Sequence, residues 1–298
     1  MKTLLLRLGL VLCAIGSTST QAAQTLNINT SSDVNSPYAM QMIELANQHI
    51  GNKYHIKTVD DGVTKSRIME DVANGTYDVF WASTNNDTEA KFDPIRIPLF
   101  KGLLGHRIFI IRQGDQARFD QIKTLEDLKQ IKLGSGTTWA DTGILKANGL
   151  TVVTANKYPN MFYMLDGSRF DAFPRGAHEP FVEIEKNQHL PLTIEKNLML
   201  VYRMPFYLFV RKGNTELVND LTRGLELALK DGSFDKLFIN HPSVQDVIQK
   251  AGLQNRRIFY LDNPTLSQAP LDRPELWVDV KTLGKQAKIS ETAEKAEQ

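Results

Sequence analysis

Lys132-Leu-Gly-Ser-Gly-Thr-Thr-Trp-Ala-Asp-Thr142 opens the most informative segment of this chain, and Asp166-Gly-Ser-Arg-Phe-Asp-Ala-Phe-Pro-Arg175 closes it. The first run reads as a short strand, a glycine turn and a helix start. Gly134 and Gly136 are expected to let the backbone turn free of Cβ clashes. Thr137 or Thr138 is expected to cap a helix running through Ile144-Leu145-Lys146. Free backbone N–H groups at such a start attract anions. The second run ends a helix, turns at Gly167, enters a strand at Phe170 and is followed by Arg175. Two polar ends in one segment thus suggest a site for a small anionic group.

Outward from there, strands and helices alternate. Leu26–Thr30 and Tyr54–Val59 alternate apolar and polar residues, as half-buried strands do. Ala39–Ile50 and Thr64–Ala73 carry apolar residues at helical spacing, with Gly51 and Gly75 at their ends. Tyr77–Ala82 is a short buried-type strand. This βαβαβ order implies a parallel sheet, with ligands at the carboxyl ends of its strands. Those ends are Ser31-Ser32-Asp33 and Ser83-Thr84-Asn85. After a Pro- and Gly-bearing break at Lys91–Gly105 comes a long apolar strand, Gly105–Arg112, and then a second βα series. A long strand returns at Tyr202–Val210, followed by an amphipathic helix, Thr215–Leu229, stopped at Gly232. The reading is an α/β chain of two lobes joined by two crossing strands. Lobe one takes residues 23–104 plus 211–280, lobe two residues 105–210, and residues 281–298 form a polar tail.

The amino terminus sets the expected compartment. Lys2 and Arg7 flank an apolar run, Leu8–Ile15, and small residues lead to Ala22, so residues 1–22 read as a secretory signal peptide. The run is too short to span a membrane. The single cysteine, Cys13, lies inside it, so lipid anchoring and, after cleavage, disulfides and thiol chemistry are not expected. The expected product is soluble and periplasmic. With 298 residues, 42% hydrophobic and 23% charged, the chain can bury a substantial core. A formal net charge of +1 gives no field for nucleic acid. The six histidines show no metal-ligand spacing, so neither metal nor cofactor is expected.

The order of these segments, with Thr124-Leu-Glu-Asp-Leu-Lys129, Gly134-Ser-Gly-Thr-Thr138, Gly167-Ser-Arg-Phe-Asp-Ala172 and Val210-Arg-Lys-Gly-Asn214, resembles the type II periplasmic solute-binding proteins, closest to the amino-acid-binding family 3 branch. The likeness covers about residues 24–240. It implies a cleft that closes on a solute by hinge motion and delivery to the membrane permease of an ABC importer, by a protein that is expected to be a monomer. Two readings stay open beside it: presentation of the ligand to a membrane sensor, and a lyase or dehydratase on the same scaffold. The family's carboxylate-clamping arginine is absent from Asn85–Asp93, and Arg175 stands past Asp171-Ala172, where the family places an ammonium-binding aspartate. A cation cannot hold an ammonium group, so a carboxylate or other anion is expected instead.

The candidate ligand-binding residues are Ser32, Asp33, Trp81, Ser83, Asn85, Arg107, Thr137, Thr138, Trp139, Arg175 and Glu179. Each has a plainer role open to it. Arg175 can pair with Glu179 one helical turn on, Arg107 can form a hinge ion pair, and Trp81 can be core. His178-Glu179 beside Arg175 is the one cluster suited to acid–base work, and no catalytic residue is assigned.

Overall fold

The computed structural model describes residues 24–31, 34–266 and 272–284. The expected signal peptide, Ser32, Asp33 and nearly all of the polar tail lie outside them. The described residues hold twelve strands: β1 Gln24–Asn29, β2 Tyr54–Val59, β3 Val79–Ser83, β4 Phe92–Ile95, β5 His106–Arg112, β6 Lys132–Gly136, β7 Thr151–Ala155, β8 Phe173–Gly176, β9 Leu192–Ile194, β10 Leu198–Val201, β11 Phe206–Arg211 and β12 Arg257–Tyr260.

Lobe one is a sheet of order β2-β1-β3-β11-β4, parallel through β2-β1-β3 and antiparallel where β11 enters. Its helices follow the sequence closely. Thr64 caps the helix Lys65–Asn74 by accepting from the Arg67 N–H, and Gly75 ends it at φ 84°, a left-handed conformation open to glycine. The helix Thr215–Asp231 buries Leu217, Leu221, Leu225 and Ala228 on one face. Each such leucine contributes roughly 1.5–3 kcal/mol when fully buried.

Lobe two holds the sheet β12-β10-β5-β8, with β9 also on β5 and the parallel pair β6-β7 tied in through Leu133 and Ala172. Here the sequence reading needs two corrections. Gly134 and Gly136 lie inside β6 and do not form a turn. They are glycines because of space: a Cβ at Gly134 would sit 2.4 Å from the Phe170 ring, and one at Gly136 would sit 2.5 Å from Trp139. The helix begins at Ala140 with Trp139 at its N-cap position and no side-chain cap, so neither threonine caps it.

Two chain segments cross between the lobes side by side. The Tyr202 N–H donates to the Gly105 carbonyl at 3.1 Å, and the Leu99 N–H to the Phe206 carbonyl at 2.9 Å. Any side chain at Gly105 would clash there, since its Cβ would lie 2.0 Å from the Tyr202 oxygen. β5 itself belongs wholly to the lobe-two sheet and β11 to the lobe-one sheet. The carboxyl-terminal part crosses again. β12, expected in lobe one, pairs in parallel with β10 of lobe two. The chain then returns: Leu276 and Leu283 are buried, Arg273 pairs with Glu226, and the Val278 N–H donates to the Lys101 carbonyl at 2.7 Å. No helix among the described residues is long and apolar enough to cross a membrane.

Candidate functional site

Between the lobes, at the carboxyl ends of β3 and β6, lies a cavity of about 370 Å³. Lobe one lines it with Asn85, Asn86 and Asp87, the start of a short helix following β3. Lobe two lines it with Thr137, Thr138 and Trp139, and with Thr142 in the first turn of the helix Ala140–Ala147. Asn85 uses its side-chain oxygen to accept from the Thr88 N–H at 2.8 Å, which turns its amide N–H groups elsewhere. Thr137 has already given its backbone N–H to the Ala155 carbonyl at 3.0 Å. Thr142 donates to the Gly136 carbonyl at 2.7 Å, which ties the helix start to β6. Asp87 is exposed and has no counter-ion among the described residues.

Four of the sequence candidates therefore meet at one cavity: Asn85, Thr137, Thr138 and Trp139. The arginines do not join them. Arg175 is 4% exposed and points into lobe two. Its Nε and Nη2 donate to both oxygens of Glu183 at 2.7–3.0 Å, and Nη2 also lies 3.0 Å from Glu179. Trp139, Phe173 and Tyr158 surround the guanidinium at 4.9, 4.9 and 5.5 Å. Arg107 is equally buried, 2.6 Å from Asp141 and 3.3 Å from Glu179, with the Tyr202 ring beside it. The expected anion clamp at Arg175 is thus replaced by a closed ion network, because Glu179 and Glu183 share one face of the helix Pro180–Lys186 and its lead-in. Trp81 is 5% exposed in the apolar core, and Ser83 ends β3 half-buried.

Burial shapes the chemistry of this network. It pushes the His178 imidazole down to about 3, aided by Arg107 and Arg175 against the pull of Glu179. It works to raise Glu179, but Arg175 and Arg107 outweigh it and hold the carboxyl at about 2. Glu183 is raised by burial, which Arg175 offsets only in part. Near neutral pH His178 is neutral and Glu179 is anionic, and both are enclosed. They are poorly placed to exchange protons with a solute.

Asn35 escaped the sequence reading. It stands at the N-cap position of the helix Ser36–His49 but does not cap it. Its amide instead reaches lobe two, donating to Glu179 at 3.0 Å and meeting His178 Nε2 at 2.9 Å. Phe100 stacks on the same imidazole at 4.0 Å. The lobes are therefore in direct contact beside the cavity. No local signal marked Asn35, because an asparagine before a helix reads as an ordinary cap. Glu183 was legible in principle, four residues after Glu179 and so on the same helical face.

The arrangement of two α/β lobes is matched among solved structures. The chain has the type II periplasmic-binding-protein fold. An ancestral arginine-binding protein bound to arginine superposes with a TM-score of 0.52 at 23% identity, over 72% of this chain and 96% of that one. An amino acid ABC transporter substrate-binding protein of Streptococcus pneumoniae bound to L-arginine gives 0.57 at 16% identity, over 76% and 97%. A histidine kinase sensor domain with similarity to periplasmic binding proteins gives 0.54 at 15% identity, over 73% and 96%. No family model and no curated sequence matches the chain. The parallel β2-β1-β3 part of the lobe-one sheet lies where the sequence put it.

Proposed function

We propose that this chain is a periplasmic solute-binding protein that takes a small polar solute into the interlobe cavity and passes it to a membrane partner, as a monomer released by signal cleavage. The observation that carries this is the cavity itself: facing strand ends of two lobes supply hydroxyl and amide groups to one shared space. The fold neighbours include substrate-binding proteins of amino acid ABC transporters, which favours the permease of an importer as the partner. A sensor role is the second reading, favoured by the neighbouring kinase sensor domain.

The solute we favour is neutral or cationic, in place of the anion expected from Arg175. Asp87 is the one charged side chain lining the cavity among the described residues, and both nearby buried guanidiniums already have carboxylate partners. A binding role is favoured over a lyase because His178 and Glu179 are enclosed and held far from neutral pKa values.

The test is a thermal-shift screen of amino acids, amines and carboxylates, followed by small-angle scattering with any solute that stabilises the protein. Ligand contacts to both lobes favour the closed form. A rise in melting temperature and a smaller radius than that of the free protein are expected, with the solute recovered intact. Consumption of the solute would replace this reading with the lyase.

A further inference from the structure

We infer that the turn leaving β12, residues 263–266, is a third wall of the solute site, and that Thr265 contacts the solute and selects for nitrogen donors. This rests on the solute-binding reading and adds residues that neither lobe's strand ends supply. Pro264 and Thr265 line the same cavity as Asp87 and Thr138.

The turn is held rigidly on lobe two. The Leu261 N–H donates to the Val201 carbonyl at 2.9 Å. Asp262 and Asn148 exchange two hydrogen bonds, 3.1 Å from the Asp262 N–H and 2.8 Å to its carbonyl. Asn148 is the C-cap residue of Ala140–Ala147, the helix whose start lines the cavity, so turn and helix are one unit. Asn263 donates to the Arg203 carbonyl at 2.9 Å, beside the interlobe crossing. Within the turn, the Thr265 N–H and hydroxyl both donate to the Asn263 side-chain oxygen, at 3.0 and 2.9 Å.

That last bond decides the chemistry. An amide oxygen only accepts, so the Thr265 hydroxyl proton is committed to Asn263. The hydroxyl therefore offers lone pairs to a solute. Asp87, on the lobe-one wall, is a second acceptor. A solute carrying amine, amide or guanidine N–H groups satisfies both, whereas a dicarboxylate faces two acceptors. Because the turn is already ordered, little conformational entropy is lost when it meets the solute.

The experiment measures binding of L-arginine, L-glutamine, putrescine and succinate by calorimetry to the wild type and to four variants. Thr265→Val removes the oxygen at nearly constant size and is expected to weaken the nitrogen-donor probes by about five- to tenfold, the worth of one hydrogen bond. Thr265→Ser restores the hydroxyl and should bind as wild type. Thr265→Trp fills the cavity and should abolish binding, with a melting temperature close to wild type. Tyr260→Ala, a change at a 73% exposed residue of the same segment, should leave binding unaltered. Wild-type affinity in both Thr265→Val and Thr265→Trp overturns the third wall. Succinate bound more tightly than the nitrogen donors overturns the selection. A wild type that binds none of the four overturns the parent solute-binding reading, and the wall with it.

Discussion

Trp139 separates two regions of opposite character. One of its sides lies 4.9 Å from the Arg175 guanidinium, inside a network in which Arg175, Glu179, Glu183 and Arg107 are each no more than 4% exposed. Its other surroundings are the cavity, with exposed Thr137, Thr138 and Asp87. The first region is rich in charge and closed. The second is nearly without charge and open. Charge at a strand end therefore says little about ligand charge when its partners sit on the next helix. A buried guanidinium needs counter-charges wherever it is, and Glu179 and Glu183 supply them within the nine residues Arg175–Glu183.

The comparison breaks most visibly at Arg175. Arg175→Ala leaves buried Glu183 without its guanidinium and Glu179 with Arg107 alone, and removing one partner of a buried pair costs about 3–5 kcal/mol. The melting temperature should fall by roughly 10 °C or more, while a solute probe still binds within a few fold. Arg175→Lys should recover only part of the loss, because lysine lacks the planar fork that Glu183 accepts. An unshifted melting curve with lost affinity would reassign Arg175 to the solute.

Acid should act next, through the closed region and through other groups that folding shifts down, His106, His241 and Asp231 among them. His178 binds protons in the unfolded chain below about 6.5 but in the native state only below about 3. Its neutral form thus stabilises the fold above 6.5, and that stability is lost as pH falls through this window, by up to about 1.4 kcal/mol per pH unit. Glu179, held at about 2 against 4.5 when unfolded, adds a second loss below 4.5. Glu183 opposes both, since its raised pKa favours the native state at low pH. Melting curves between pH 7 and 5 should show the first loss, and His178→Gln should flatten it. An equally steep curve in that variant would show that another group titrates.

Asn35→Ala probes the contact between lobes. It leaves Glu179 and His178 each short of one partner, at a cost of about 1–3 kcal/mol in the closed form. Scattering of the free protein should report a larger average radius. An unchanged radius and melting temperature would mean that the bridge does not bias closure.

The smallest stability effect belongs to the open region. Asp87→Asn, on the exposed cavity wall, should change stability by no more than about 0.5 kcal/mol. Affinity for a cationic probe such as putrescine should nevertheless fall about tenfold, a change of 1.4 kcal/mol. A cation bound equally by Asp87→Asn would remove this carboxylate from the site.

How much of this was legible depends on how local the cause is. The alternation in Tyr54–Val59 and the helical spacing in Lys65–Asn74 are set by which face meets the core, and both elements lie where the sequence put them. Thr124 and Asp127 form a reciprocal capping box within four residues, and Gly232 ends its helix with a left-handed φ of 83°. Such signals need only neighbours along the chain. From them the sequence alone determined the alternation of strands and helices from β1 to β3 and the two-lobed α/β fold.

Only the tertiary structure decided the rest. Gly134 and Gly136 read as turn residues, yet their reason is a ring from Phe170 and a ring from Trp139 packed over β6. β12 joins lobe two because β10, more than fifty residues earlier, is its partner. Arg175 turns inward because three aromatic faces and two carboxylates await it there, and Asn35 reaches across the cleft instead of capping its own helix. In each case the deciding group is brought by folding from a distant part of the chain or from the other face of an element. Spacing along the sequence encodes which face of an element is buried, but not which distant group meets a given side chain there.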